Sequence, residues 1–375
     1  MPFHLTEEQE MIRRVVEEFA DKTVGPAARE VDRERRAPTE ALKGMKGLGL
    51  MGMLASPDDG GAGADTVTYC IAVRELAKKC ASTAALMGVT NALAVSPLAE
   101  LGTEEQRGRW LQPLATGEKL GSFALTEPDA GADVSKLNTK LVPDGEDTWL
   151  LSGHKAWTLA APLADVFLVM ARGEEGPSLV LVPADAEGVE AGPPERMLGL
   201  HGTETGPIYF HDVEVPRENV LGEVGEGLEA VSDALRISRL AVAACATGLI
   251  EAGLDDSIEF ADQREQFRQP IREFQAMQNR LADMKVAASS SLYLTLLAAD
   301  ARDRGEPFSV MASEAKWFAT EAAARETRSA IRLHGGTGFM RDANVERYYR
   351  DARTLKIMGG PNVLHKQRIV RSMYE

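Results

Sequence analysis

A chain of 375 residues is longer than a single hydrophobic core usually serves, so two or three packed regions are expected. The composition is globular, 44% hydrophobic and 26% charged, with no low-complexity tract and no uninterrupted apolar run long enough to cross a bilayer. A formal net charge of −15 works against nonspecific binding to nucleic acid or to an anionic membrane surface, although local arginines could still hold a polyanionic ligand.

The opening MPFHLTEEQE lacks the basic and apolar segments of a secretory signal, and Cys70, Cys80 and Cys245 have neither metal nor redox spacing. A cytoplasmic location is the expectation. Six histidines are scattered without His-x-x-x-His or Cys pairing, so no metal site is expected.

Thr6-Glu7-Glu8-Gln9 is a capping-box pattern. Met11, Ile12, Val15, Val16, Phe19 and Ala20 then recur on one helical face. Helical periodicity returns near Thr39–Met45, Thr66–Cys80 and Ser82–Ala99, and Thr103-Glu104-Glu105-Gln106 forms a second capping box before Trp110. Ser56 to Gly63 is a turn-rich loop. Residues 1–117 therefore read as an N-terminal α-helical domain.

At Gly117 the texture changes. Short β-type runs follow at Thr148–Leu151, Val166–Met170, Ser178–Val182 and Ile208–Phe210, separated by Pro, Gly and Asp clusters. Residues 118–225 read as a middle antiparallel β domain, barrel-like or sandwich-like. Residues 226–375 are helical again, with long segments near 228–262, 272–303 and 308–333 and a last helix after Asn362, a C-terminal four-helix bundle. Ala241–Ala246 is apolar all round, which calls for burial within the bundle or across a subunit interface. The fold class is α+β multidomain.

The stretch from Ile331 to His365 carries the most specific signal. His334-Gly335-Gly336-Thr337-Gly338-Phe339 suits a helix end followed by backbone lying close to a flat or charged ligand. Asn344–Arg353 then alternates acid and base as in a short helix tied by ion pairs, before an Ile-x-Gly-Gly turn and the last helix. In order and spacing these three elements resemble the C-terminal signature of the acyl-CoA dehydrogenase family. The resemblance implies an FAD site shared between subunits, with Gly335 and Gly336 beside the cofactor.

Three further segments resemble the same family. Phe123 to Asp133, a strand running into Thr126-Glu127-Pro128, is similar to its first signature, which implies that Phe123, Leu125 and Thr126 contact the flavin. Donors at the pyrimidine edge of that ring stabilise the reduced anion. Gly153-His154-Lys155-Ala156-Trp157 resembles the family's Gly-x-Lys-x-Trp strand, which implies that Trp157 packs beside the flavin, whereas a lone strand tryptophan is ordinarily core. Arg264 to Gln275 resembles an Arg-x-Gln-Phe-Gly-x-Pro segment. There the resemblance implies that Arg264 and Gln266 reach the FAD pyrophosphate and Phe267 its adenine end, against the ordinary reading of a solvated loop arginine. Ala132, Leu159, Arg268 and Arg332 depart from the family's usual residues.

The departure with chemical weight concerns the base. Family dehydrogenation needs a carboxylate to take the α-proton while a β-hydride moves to flavin. The resemblance puts that glutamate at Gly359, or alternatively at Ser238, and neither residue can serve; a serine hydroxyl is far too weak a base unassisted. Arg239 does match the family.

Three readings follow. The first is an FAD-dependent acyl-CoA dehydrogenase-like oxidoreductase acting on an acyl-CoA thioester with its base elsewhere. The second is a flavoprotein of the same fold that works without α-proton abstraction, by β-elimination or desulfination, although the arginine of one such relative aligns with Ala85 here. The third is a non-catalytic subunit paired with an active paralogue, a view that Pro361 and Val363 favour slightly. The resemblance further implies an electron-transferring flavoprotein as acceptor and a homotetramer, or a heterotetramer with a paralogue.

Overall fold

The computed structural model describes residues 4–374. Helix α1 (Glu7–Phe19) starts from a full capping box, with the Thr6 hydroxyl accepting from Gln9 N–H and the Gln9 side chain accepting from Thr6 N–H. Val16 and Ala20 are buried, but Met11 and Val15 are exposed, so the apolar face is narrower than the sequence pattern suggests. A π turn leads into α2 (Gly25–Glu34), followed by α3 (Thr39–Gly47) and then α4 (Thr66–Lys79), which Asp65 caps through Thr68 N–H at 2.6 Å. α5 (Ala81–Thr90), α6 (Ser96–Leu101), α7 (Glu104–Gln106) and α8 (Gln112–Ala115) complete the N-terminal helices. The second capping box, Thr103 with Gln106, is also formed.

Seven strands make one sheet: β1 (Gly121–Ala124), β2 (Lys140–Asp144), β3 (Thr148–Thr158), β4 (Val166–Arg172), β5 (Pro177–Pro183), β6 (Val189–Ala191) and β7 (Gly206–Pro216). The sheet is mixed rather than antiparallel. β1 runs parallel to β4, and β2 touches β4 in parallel at Lys140 and Arg172, while the remaining pairs are antiparallel. The cause is topological: β1 and β2 share one edge of β4, and the β2–β3 hairpin brings the chain back to the end from which β2 set out, so that β4 starts there and runs the same way as β2. Both faces of β4 are covered, which explains its unbroken apolar run. Phe167 and Val169 face the sheet's own core with Phe210 and Val215; Val166, Leu168 and Met170 pack with Leu98, Trp110 and Leu114 from the helices.

After α9 (Gly227–Ala230) the chain enters α10 (Ser232–Gln263), about 48 Å long at 1.5 Å per residue. A minimal hairpin, β8 (Glu265–Gln266) and β9 (Gln269–Pro270), turns it into α11 (Gln275–Asp303) and α12 (Ser309–His334). The shorter α13 (Asn344–Leu355) and α14 (Asn362–Arg371) close the bundle. The apolar stretch Ala241–Ala246 is covered within its own chain and not across an interface. A Cβ on Gly88 of α5 would come within 3.1 Å of the Ala241 Cβ, and one on Gly248 within 2.5 Å of the Arg74 carbonyl of α4. Small residues thus let α10 press against the N-terminal helices, and the two helical regions share one core.

That burial also accounts for two helical stretches, Ala81–Leu101 and Ser232–Gln263, that are long and apolar enough to cross a membrane by composition. Their most apolar windows are 78% and 94% buried inside the protein. Neither stood out as an uninterrupted run in the sequence, because small polar residues punctuate both.

Candidate functional site

Glu127, in the Thr-Glu-Pro turn after β1, is buried and accepts hydrogen bonds from Asn138 N–H at 2.6 Å, Thr139 N–H at 2.9 Å and Lys155 Nζ at 2.7 Å. Lys155, fully buried on β3, also donates to the Leu125 carbonyl at 3.1 Å. Burial lowers the Lys155 ammonium to about 8 against the opposing pull of Glu127, while the lysine and the two amides hold the Glu127 carboxyl low in spite of its own desolvation. The ion pair therefore rivets the turn to β3. Ala156 N–H donates to the Thr126 carbonyl at 2.9 Å, which sets Leu125 and Thr126 beside the next residue, Trp157.

Trp157 sits at a β-bulge, where the register with β7 shifts between Lys155 and Thr158. Its φ of +52° is unusual for a bulky side chain, and the indole is 57% exposed instead of packed in the core. Phe123, Leu125 and Thr126 are half-buried. The bulge thus turns an aromatic face outward next to a strand end whose polar backbone is already ordered.

The other predicted cofactor contacts lie elsewhere. Phe267 and Arg268 form the two-residue tip of the β8–β9 hairpin, both left-handed, with φ of +50° and +66°. Arg264, Gln266 and Phe267 are exposed, Phe267 at 89%. Gly335, with φ of +58°, ends α12, and neither Gly335 nor Gly336 would bring a Cβ within 4 Å of another heavy atom. The His334 ring stacks on Phe260 with centroids 4.4 Å apart, which ties this glycine backbone to the hairpin end of α10. The structure therefore divides the candidate residues into two groups. Phe123, Leu125, Thr126 and Trp157 are on the β sheet, and Arg264, Gln266, Phe267, Gly335 and Gly336 gather at the far end of the bundle.

Ser238 and Gly359 form a third locality. Ser238 is buried and donates its hydroxyl to the Leu235 carbonyl at 2.9 Å. Gly359, with φ of +70°, sits where a Cβ would lie 3.5 Å from Val242 Cγ2 and 3.9 Å from Arg239 Cγ. These two positions, distant in sequence, meet on one side of α10. From Ser238 to Arg264 along that helix is about 39 Å, so this locality and the hairpin tip stand near its opposite ends.

Exposed aromatic faces and bare glycine backbone form surfaces that a large planar ring system with a phosphate tail would cover. The site residues fit FAD on those grounds. Glu127 and Lys155 lie within the Thr-Glu-Pro and Gly-x-Lys-x-Trp motifs; their burial is what identifies them as the fixture of the turn after β1, and a charged pair flanking an aromatic strand end is the signal the sequence offers.

Fold and site together define a three-part flavoprotein dehydrogenase architecture. Family models match the chain at residues 6–118 (acyl-CoA dehydrogenase, N-terminal domain), 122–213 (middle domain) and 225–374 (C-terminal domain). The protein belongs to the acyl-CoA dehydrogenase family of oxidoreductases. It is 39% identical to the "Probable acyl-CoA dehydrogenase YngJ" of Bacillus subtilis (strain 168) over the full length of both chains. The butyryl-CoA dehydrogenase structure from Megasphaera elsdenii superposes with a TM-score of 0.97 at 34% identity, covering all of both chains. A Mycobacterium smegmatis glutaryl-CoA dehydrogenase in complex with FADH2 gives 0.95 at 27% identity, over 98% of this chain and 95% of that one.

Proposed function

We propose that the protein is an FAD-dependent oxidoreductase of acyl-CoA thioesters, acting in the cytoplasm and passing its electrons to an electron-transferring flavoprotein. When bound, FAD supplies the acceptor for a hydride from the acyl β-carbon. The observation that carries the reading is Trp157, aimed outward by a bulge and held next to Thr126 through the Glu127–Lys155 pair. Phe123, Leu125, Thr126 and Trp157 hold the ring end of the cofactor. Arg264, Gln266 and Phe267, with Gly335 and Gly336, hold the phosphate and adenine end.

By the family resemblance the two groups belong to two different copies of the chain, which together complete each site. An apolar stripe on α11, Val286, Tyr293 and Leu297, is exposed and supports a partner chain on that face. The assembly read from the family is a homotetramer. The division proposed is into regions 1–117, 118–225 and 226–375.

Gly359 and Ser238 stand at the positions of the family base, which favours a second reading in which the flavin chemistry proceeds without abstraction of an α-proton. Anaerobic titration with a panel of acyl-CoA thioesters, followed by flavin absorbance, tests the main reading. Bleaching supports it; a protein that carries FAD and bleaches with none of them contradicts it.

A further inference from the structure

Beside the turn joining α13 to α14 lies buried positive charge without a counter-ion. Lys316, buried on α12, donates from Nζ to the Lys356 carbonyl at 3.0 Å, the Gly360 carbonyl at 2.7 Å and Asn362 Oδ1 at 2.8 Å. His365 lies beneath the turn with Nε2 3.1 Å and 3.2 Å from the Gly359 and Gly360 carbonyls, and its buried Nδ1 has no partner. Arg239, whose side-chain stem runs past Gly359, is 6% exposed. Its Nε is unpartnered, and no carboxylate pairs with it among the described residues.

The neighbouring acids are already engaged: Glu321 by Lys356 at 2.8 Å and Asn362 at 2.9 Å, Asp233 by Arg236. Burial, together with Arg368 and Arg236, lowers the Arg239 guanidinium to about 9; burial and Arg239 lower Lys316 to about 7. Burial and the surrounding Lys316, Arg239 and Arg368 bring His365 down to about 3, so that ring is neutral. A buried cation without a counter-ion is destabilising, and a bound anion relieves it. A carboxylate side chain at position 359 would have supplied one, and this chain has none.

We propose that the missing carboxylate arrives with the substrate: the site takes a 2-carboxyacyl thioester, of the alkylmalonyl class, and releases CO2 where other substrates release an α-proton. The inference rests on the flavin-dependent reading above and names the substrate class for that same site. The Cα–carboxylate bond breaks and CO2 departs. Its electron pair becomes the second Cα–Cβ bond, and the hydride from Cβ passes to FAD. A 2-carboxyacyl thioester anion and FAD thus give an α,β-unsaturated thioester, CO2 and the reduced flavin anion. Atoms and charge balance with no proton removed, so no protein base is required. Arg239 binds the carboxylate, and the bare Gly359 leaves room beside it.

The phosphates of CoA are the other anion that could meet Arg239, and the test separates the two. Acetyl-CoA and malonyl-CoA share every CoA phosphate and differ by one carboxylate; malonyl-CoA has no β-hydrogen to transfer. Calorimetric titration of the FAD-loaded protein is expected to favour malonyl-CoA by about tenfold, with the preference lost in Arg239→Gln. If that variant weakens both thioesters equally, the arginine reads CoA and the proposal falls. In the second arm, ethylmalonyl-CoA is expected to bleach the wild-type flavin anaerobically with one CO2 released per flavin, and butyryl-CoA to do so at least about 100-fold more slowly. Bleaching by butyryl-CoA as fast as by ethylmalonyl-CoA, or without CO2 from the latter, would overturn the proposal while leaving the oxidoreductase reading intact. Bleaching by no thioester of either kind would overturn both.

Discussion

At the scale of single residues, the molecule invests burial in holding a few backbone segments still. Glu127 and Lys155 are both buried and satisfied, and removing one charge leaves the other stranded in a medium that cannot solvate it. Glu127→Gln is expected to cost about 3–5 kcal/mol, read as a lowered thermal midpoint, and to reduce the FAD retained on purification. Gly359 makes the opposite case, because the absence of a side chain is what sets its chemistry. Its positive φ would burden any replacement with about 1–2 kcal/mol of strain, but the space beside Val242 and Arg239 admits a Cβ. Gly359→Glu is expected to lower the thermal midpoint modestly and to accelerate flavin bleaching by butyryl-CoA, since it supplies both a base and a partner for Arg239. An unchanged rate with unsubstituted thioesters would contradict that role for the position.

At the scale of elements, α10 is the organising piece. Its N-terminal half meets Gly359 and the N-terminal helices, and its far end carries the hairpin tip. That tip is a two-residue turn with both residues left-handed, a geometry for which glycine is favoured, yet it contains Phe267 and Arg268. Arg268→Gly is expected to raise the thermal midpoint, with a gain of about 1 kcal/mol from relieved strain, and to leave thioester specificity unchanged. Trp157 shows how far local sequence could be read. The Gly-x-Lys-x-Trp pattern identified the residue, but whether its indole entered the core or faced outward depended on a bulge against β7, a partner some fifty residues away. The parallel pairing of β1 with β4 was hidden for the same reason: alternation along a strand marks its faces and says nothing of its direction. Capping boxes, which act within four residues, were fully legible at Thr6 and Thr103, as was the glycine that stops α12. The meeting of Ser238, Arg239 and Gly359 was legible only through family resemblance, and the lack of a counter-ion at Arg239 only through packing.

At the scale of the whole molecule, the three regions are joined by one ionic junction. Asp32 of α2 accepts from Arg350 of α13 at 2.9 and 2.6 Å and lies 3.0 Å from Nδ1 of His201, in the turn before β7. Burial opposes ionisation of Asp32, but His201 and Arg350 outweigh it and hold the carboxyl below the usual range; the Asp32 hydrogen bond raises His201 against its own desolvation. The depressed Asp32 contributes stability that is present above its unfolded value of about 4 and lost as pH falls through the folded one. The raised His201 contributes stability that is present below about 6.5 and lost as pH rises through its folded value. The stability difference between wild type and Asp32→Asn should therefore be greatest between about pH 4 and 6.5, near 3 kcal/mol, and shrink on both sides. Denaturant titrations across pH provide the check; a difference independent of pH would remove the junction from the account.

The same scale holds the central claim, that two copies of this chain enclose FAD and use it to oxidise an acyl-CoA thioester. The most direct measurement is anaerobic mixing of the FAD-loaded oligomer with acyl-CoA and 2-carboxyacyl-CoA thioesters, recording flavin absorbance. The expected result is one flavin per chain, bleached by at least one thioester with formation of the corresponding unsaturated product. A correctly assembled protein whose flavin no thioester bleaches would contradict it.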